Sequence, residues 1–203
     1  MNCRSIFALV ALVALVSGCQ QTTSIQSAWF DTDFAGPPFR KVIVVGITDN
    51  VSDARVFEDI FAGKLRAAGV DGVAGHAVIS NDTRASDSLL DAAVVKSGAQ
   101  GLLLVRLLSV DTRTQVTTMM VRGGMAWGVG TRSAPGQPLV PAQRIYDLAT
   151  VETKLFGVQT KQLVWAATTN TFNPGSVERE TPAFADLIIG QLASRGIIPS
   201  LSQ

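Results

Sequence analysis

A chain with a single histidine has few ways to build a catalytic centre, and this one holds only His76. A Ser-His-Asp or Cys-His arrangement would have to use it, and no Gly-x-Ser-x-Gly turn presents a serine. Taken alone, His76 reads as a partly exposed histidine on a β-strand. Zinc takes several nitrogen or sulfur ligands, which one imidazole cannot supply. Glu178 and Glu180 stand two apart, so on a helix they point to different sides and make a poor acid/base pair. Asp31 and Asp33 have no neighbouring ligand set for calcium and read as solvated charge. Gly123, Gly124, Gly128 and Gly130 form neither a P-loop, which needs Lys-Ser/Thr after its last glycine, nor a dinucleotide fingerprint opening a helix. No enzyme, no cofactor and no metal centre are expected.

The chemistry the sequence does offer is at a cysteine. Ile6 to Val16 is an apolar run behind Arg4, and it ends in Val16-Ser17-Gly18-Cys19. Small residues after a short apolar stretch are the layout of a secretory signal. The run is too short to span a bilayer, which takes about 20 residues. The four residues resemble the lipobox of bacterial lipoproteins. That resemblance implies a diacylglycerol thioether on Cys19, cleavage between Gly18 and Cys19, and a further acyl chain, commonly palmitate, on the new amino terminus. Two or three chains hold a protein on a membrane where one holds it only reversibly. Gln20 stands where an aspartate favours inner-membrane retention in such lipoproteins, so the outer membrane, facing the periplasm, is the expected station.

Cleavage removes Cys3 and acylation consumes Cys19, so on this reading the mature protein has no disulfide and no free thiol for a metal. Arg4 is the only charge lost, which leaves 16 basic against 16 acidic side chains. Without a basic field, nucleic-acid binding is not expected. Stability must come from a packed core, which 47% apolar content can supply.

The elements that would position any site follow from periodicity. Residues 19–38, ending at Pro37-Pro38, read as the acylated terminus and a tether, whose second half, with Trp29, Phe30 and Phe34, docks on the domain or the lipid surface. Lys41 to Ile47 is a β-branched run suited to a central strand. A helix capped by Ser52 follows, with Val56, Phe57, Ile60, Phe61, Leu65 and Ala68 at helical steps and Gly69 at its end. Val70 to Ile79 reads as an edge strand weakened by Gly72 and Gly75. Asp87 to Ser97 is a helix capped by Ser86 and stopped at Gly98. Gly101 to Leu108 is a buried-type strand that stays extended to Thr118. Arg144 to Val158 and Gln162 to Phe172 suit an antiparallel hairpin. Thr181-Pro182 opens the last helix. The order β-α-β-α-β-β-β-α predicts one α/β domain over 39–203, with a mixed five-stranded sheet in the order 2-1-3-4-5. Element order and lipobox together resemble the small α/β domain of the TolB amino-terminal region and related periplasmic lipoproteins.

Two features remain. Arg106 sits within the buried-type strand and is expected to make a structural salt bridge. Residues 119–142 form a long, apolar, glycine-rich loop carrying Met119, Met120, Met125 and Trp127, either an exposed patch that meets a partner or a hairpin extension covering the sheet. Trp127 is the expected anchor of such a contact. The resulting expectation is a lipid-anchored, non-enzymatic module that binds an unknown envelope protein. The alternative is a homo-oligomeric ring that forms or gates an outer-membrane export channel.

Overall fold

A computed structural model describes residues 23–79, 87–120 and 139–200. The signal segment, Gly18, Cys19, Met125 and Trp127 lie outside the described residues. One mixed sheet organises the rest: β1 (Thr23–Phe30), β2 (Lys41–Ile47), β3 (Asp71–Ala74), β4 (Gly101–Met120), β5 (Leu139–Gly157) and β6 (Leu163–Phe172), in the order β1-β6-β5-β4-β2-β3. The sheet is six-stranded, not five-stranded, and the expected order is corrected by a strand added at one edge. That strand is made of residues assigned to the tether: β1 pairs antiparallel with β6 from Thr23↔Thr171 to Phe30↔Trp165.

Three helices cover the sheet. Helix α1 (Val51–Ala67) and α3 (Val177–Ser194) share one face, where Phe61, Leu65, Phe184, Ile188 and Leu192 pack on Val44, Leu103, Leu155 and Trp165. Helix α2 (Asp87–Ser97) lies on the other face, where Val94 meets Ile43, Val45, Ile79 and Ala99. The central strand β2 is thus apolar on both faces because both are covered, as its unbroken β-branched run requires.

Local differences from the expected boundaries have local causes. Helix α1 is capped two residues earlier than Ser52: the Asn50 side chain accepts from the Ser52 and Asp53 amides at 3.0 and 3.3 Å, and the helix begins at Val51. Helix α3 starts at Val177, with Pro182 inside it and the Thr181 hydroxyl donating to the Val177 carbonyl at 2.6 Å. The stretch 70–79 is a strand only as far as Ala74 and then a 3-10 turn over Gly75–Ala77. As expected, that strand is an edge, pairing only with β2. The apolar loop 119–142 is shorter than expected, since residues 119–120 and 139–142 belong to β4 and β5. Among the described residues, no helix is long and apolar enough to cross a membrane.

Candidate functional site

Where β2 ends and α1 and α3 begin, the sheet face is not fully covered. A cleft of about 420 Å³ opens there, floored by Phe57, Phe184, Val105, Val110, Ala149 and Val151. Its polar lining includes the carboxylates of Asp53, Asp147 and Glu180, and among the described residues it includes no Lys, Arg or His. Helix N-termini carry partial positive charge that would favour an anion. Here that charge is already met: Asp53 sits in the first turn of α1, and Glu178 and Glu180 in that of α3. Hydrogen bonds from its own backbone amide and from Ser176 hold the Glu178 carboxyl below the usual carboxylate range. The Glu180 carboxylate accepts from the Gly175 amide and from Arg179 Nε, both at 3.0 Å. The cleft is therefore an apolar hollow with an acidic rim, suited to an apolar group beside a cation.

The second feature is the length of β4 and β5. They pair with each other from Gly101↔Gly157 to Met120↔Leu139, whereas β2 accompanies β4 only to Arg106 and β6 accompanies β5 only to Leu148. What lies beyond is a two-stranded ribbon rising from the cleft's edge. Met119 and Met120 form its last pairs, with Val140 and Leu139.

His76 does not stand alone on a strand. It lies in the 3-10 turn, with Nδ1 3.0 Å from Glu58 Oε2 and Nε2 3.5 Å from Asp59 Oδ1. Glu58 is fully buried, and it also accepts from the Gly46 amide at 2.9 Å and the His76 amide at 2.7 Å. The carboxylate clasps β2, α1 and the turn after β3 together. Sequence reasoning passed over Glu58, yet it occupies the apolar stripe of α1, four residues after Ala54 and three before Phe61, where a carboxylate needs partners. Arg106 corrects another expectation: it is exposed, opposite Glu152, whose carboxylate meets Lys154 at 2.9 Å. The outer rungs of a half-covered strand are not buried.

No protein-family model matches the chain, and no curated protein matches it. Among solved structures it is similar to the PelC dodecamer from Paraburkholderia phytofirmans, at 15% identity over 86% of this chain and 99% of that one, with a TM-score of 0.43. It is also similar to lipoprotein GNA1162 from Neisseria meningitidis, at 11% identity over 76% and 98% of the two chains, TM-score 0.39. A minor lipoprotein from Acinetobacter baumannii shares 11% identity over 77% and 94%, TM-score 0.34. The lipobox and the likeness to the TolB amino-terminal domain rest on the sequence alone.

Proposed function

We propose that this protein is a lipid-anchored lipoprotein of the outer membrane, facing the periplasm, whose domain works without catalysis by binding another protein of the envelope. The anchor is Cys19, on the strength of the Val16 to Cys19 motif. The observation that carries the binding role is the cleft: an apolar floor of Phe57, Phe184, Val110 and Ala149 under the carboxylates of Asp53, Asp147 and Glu180. Such a hollow accepts an apolar side chain flanked by Lys or Arg from a partner, with the desolvated centre supplying affinity and the charged rim supplying orientation. Incorporation of labelled palmitate into the wild-type chain but not into Cys19→Ser tests the anchor. In-cell photocrosslinking from position 110, repeated with Ala149→Phe to fill the cleft, tests the binding role. Loss of a defined crosslinked band on filling supports it, and an unchanged band counts against it.

A second reading is a homo-oligomeric ring. It is favoured by the ribbon, whose two strands, 110–120 and 139–148, approach the length that a wall built from several copies would use. Mass measurement in detergent separates the two, since a strict monomer removes the ring.

A further inference from the structure

Thr23 stands in register with Thr171, Thr171 with Ala149, and Ala149 with Val110, so one row crosses β1, β6, β5 and β4. Cys19 precedes Thr23 by four residues, a reach of at most about 14 Å. The far end of β6, at Leu163, is eight residues below the row, roughly 27 Å away at about 3.4 Å per residue. An acyl group on Cys19 is therefore confined to the end of the sheet that carries the cleft and the ribbon.

Beyond the row, β4 and β5 continue for ten more pairs, from Asp111↔Leu148 to Met120↔Leu139, which is about 34 Å of ribbon. A two-stranded ribbon is marginally stable in water by itself, so its length asks for a surface to lie on. Its two faces differ, because alternate residues of a strand belong to opposite sides. From the row upward, the first face carries Val110, Thr112, Thr114 and Ile145, and Asp147 is its only charge. Asp147 lies near the base, where it accepts from the Thr112 hydroxyl at 2.8 Å. The opposite face carries Asp111, Arg113, Tyr146 and Leu148. On the first face, Ile145 is 71% and Val110 55% exposed.

We propose that the ribbon is a second membrane contact. It lies in the interface of the bilayer that holds Cys19, with the Thr114 and Ile145 face, above the cleft, toward the acyl chains and the Arg113 face toward headgroups and water. The inference rests on the reading of Cys19 as acylated. The open backbone edges of a lone ribbon keep it in the interface, since unpaired N–H and C=O groups are not tolerated in hydrocarbon but are satisfied among headgroups and water. Charge agrees, because anionic headgroups attract arginine. Tyr146, on the Arg113 side of the ribbon, has the amphipathic ring favoured at this depth. The contact would fix which way the cleft faces, which acyl chains alone do not.

The test uses the full acylated chain, in which Cys19 is blocked as a thioether, with single cysteines Ile145→Cys or Arg113→Cys bearing an environment-sensitive fluorophore. Thr114→Cys is the second lipid-face variant, and Val95→Cys on α2, 64% exposed in the wild-type chain, is the water-facing control. Vesicles of phosphatidylethanolamine and phosphatidylglycerol carry nitroxide quenchers either near the headgroup or near the chain end. The expected result is a blue shift at 145 and 114, with severalfold stronger quenching there than at 113 and 95, and with the shallow quencher more effective than the deep one. Equal quenching at 145 and 113, greater quenching by the deep nitroxide, or none at all overturns the inference. The mass of the purified chain reports acylation separately. An unmodified Cys19 overturns the anchor and the inference built on it, whereas a modified Cys19 with an unquenched ribbon overturns the ribbon contact alone.

Discussion

Glu58 and His76 are joined twice: the carboxylate accepts from the His76 amide at 2.7 Å and faces the ring Nδ1 at 3.0 Å. With the Gly46 amide on the other oxygen, a side chain with no exposed surface holds three backbone segments in register. Removing it strands two amide donors in a dry site, and such losses run to about 3 kcal/mol. Glu58→Ala is expected to lower the thermal midpoint by roughly 10 °C, at the few degrees per kcal/mol typical of this chain length. Glu58→Gln, which keeps an acceptor, should lose about half as much. Thermal melts followed by circular dichroism measure both. Equal stability of Glu58→Ala and wild type would show that the clasp does not stabilise the fold.

The turn after β3 depends on a missing side chain. A Cβ on Gly75 would stand 2.7 Å from the Val44 carbonyl oxygen and 2.9 Å from Val45 Cγ2, and backbone at that distance cannot give way. Gly75→Ala is therefore expected to destabilise by about 2 kcal/mol, as overpacked cores do. Gly190, exposed in α3 with nothing within 4 Å of its Cβ position, is the opposite case. Gly190→Ala should stabilise by up to about 1 kcal/mol through helix propensity. Denaturant midpoints of the two variants should move in opposite directions.

Much of this architecture could be read from periodicity. β2 announced itself by an unbroken β-branched run, and α1, α2 and the β5–β6 hairpin by keeping one period throughout. β1 did not, and its register shows why. A bulge between Ile25 and Ser27 changes the phase of alternation, so Thr23, Ile25, Ala28 and Phe30 share a face without being evenly spaced. The start of α3 was hidden by Pro182, which imitates a first helical residue although the helix begins five residues earlier. The cleft was illegible because its lining comes from β2, α1, α3, β4, β5 and β6, and only tertiary packing brings Asp53, Asp147 and Glu180 to one rim. The extended character of 109–118 was readable. That no third strand accompanies it was not, because pairing depends on where β2 and β6 stop.

Because β1 is part of the sheet, truncation should show a threshold. A chain beginning at residue 22 keeps every β1 pair, whereas one beginning at residue 31 uncovers the edge of β6 and removes Ile25 and Phe30 from the core they pack against. It also removes the ring beneath the Arg195 guanidinium, 4.2 Å from the Phe30 centroid. The shorter chain is expected to lose several kcal/mol through lost apolar burial and to aggregate through its exposed edge. Size-exclusion chromatography and thermal melts of the two truncations measure this. A freely dispensable tether would leave both unchanged.

The Thr153 hydroxyl is buried between Val105 on β4 and Ala167 on β6, and it has no hydrogen-bond partner among the described residues. Thr153 itself has no exposed surface. An unmet hydroxyl in an apolar layer costs about 1 to 3 kcal/mol relative to a satisfied one, and its removal by a side chain of the same shape leaves no cavity behind. Thr153→Val is therefore expected to raise stability by about 1 kcal/mol, or a few degrees in the thermal midpoint. Thr169 is the internal contrast: equally buried, it donates to the Val151 carbonyl at 3.4 Å, so Thr169→Val should gain less. Paired melts of the two variants under identical conditions decide the point. A loss of stability in Thr153→Val would mean that the hydroxyl is satisfied in solution.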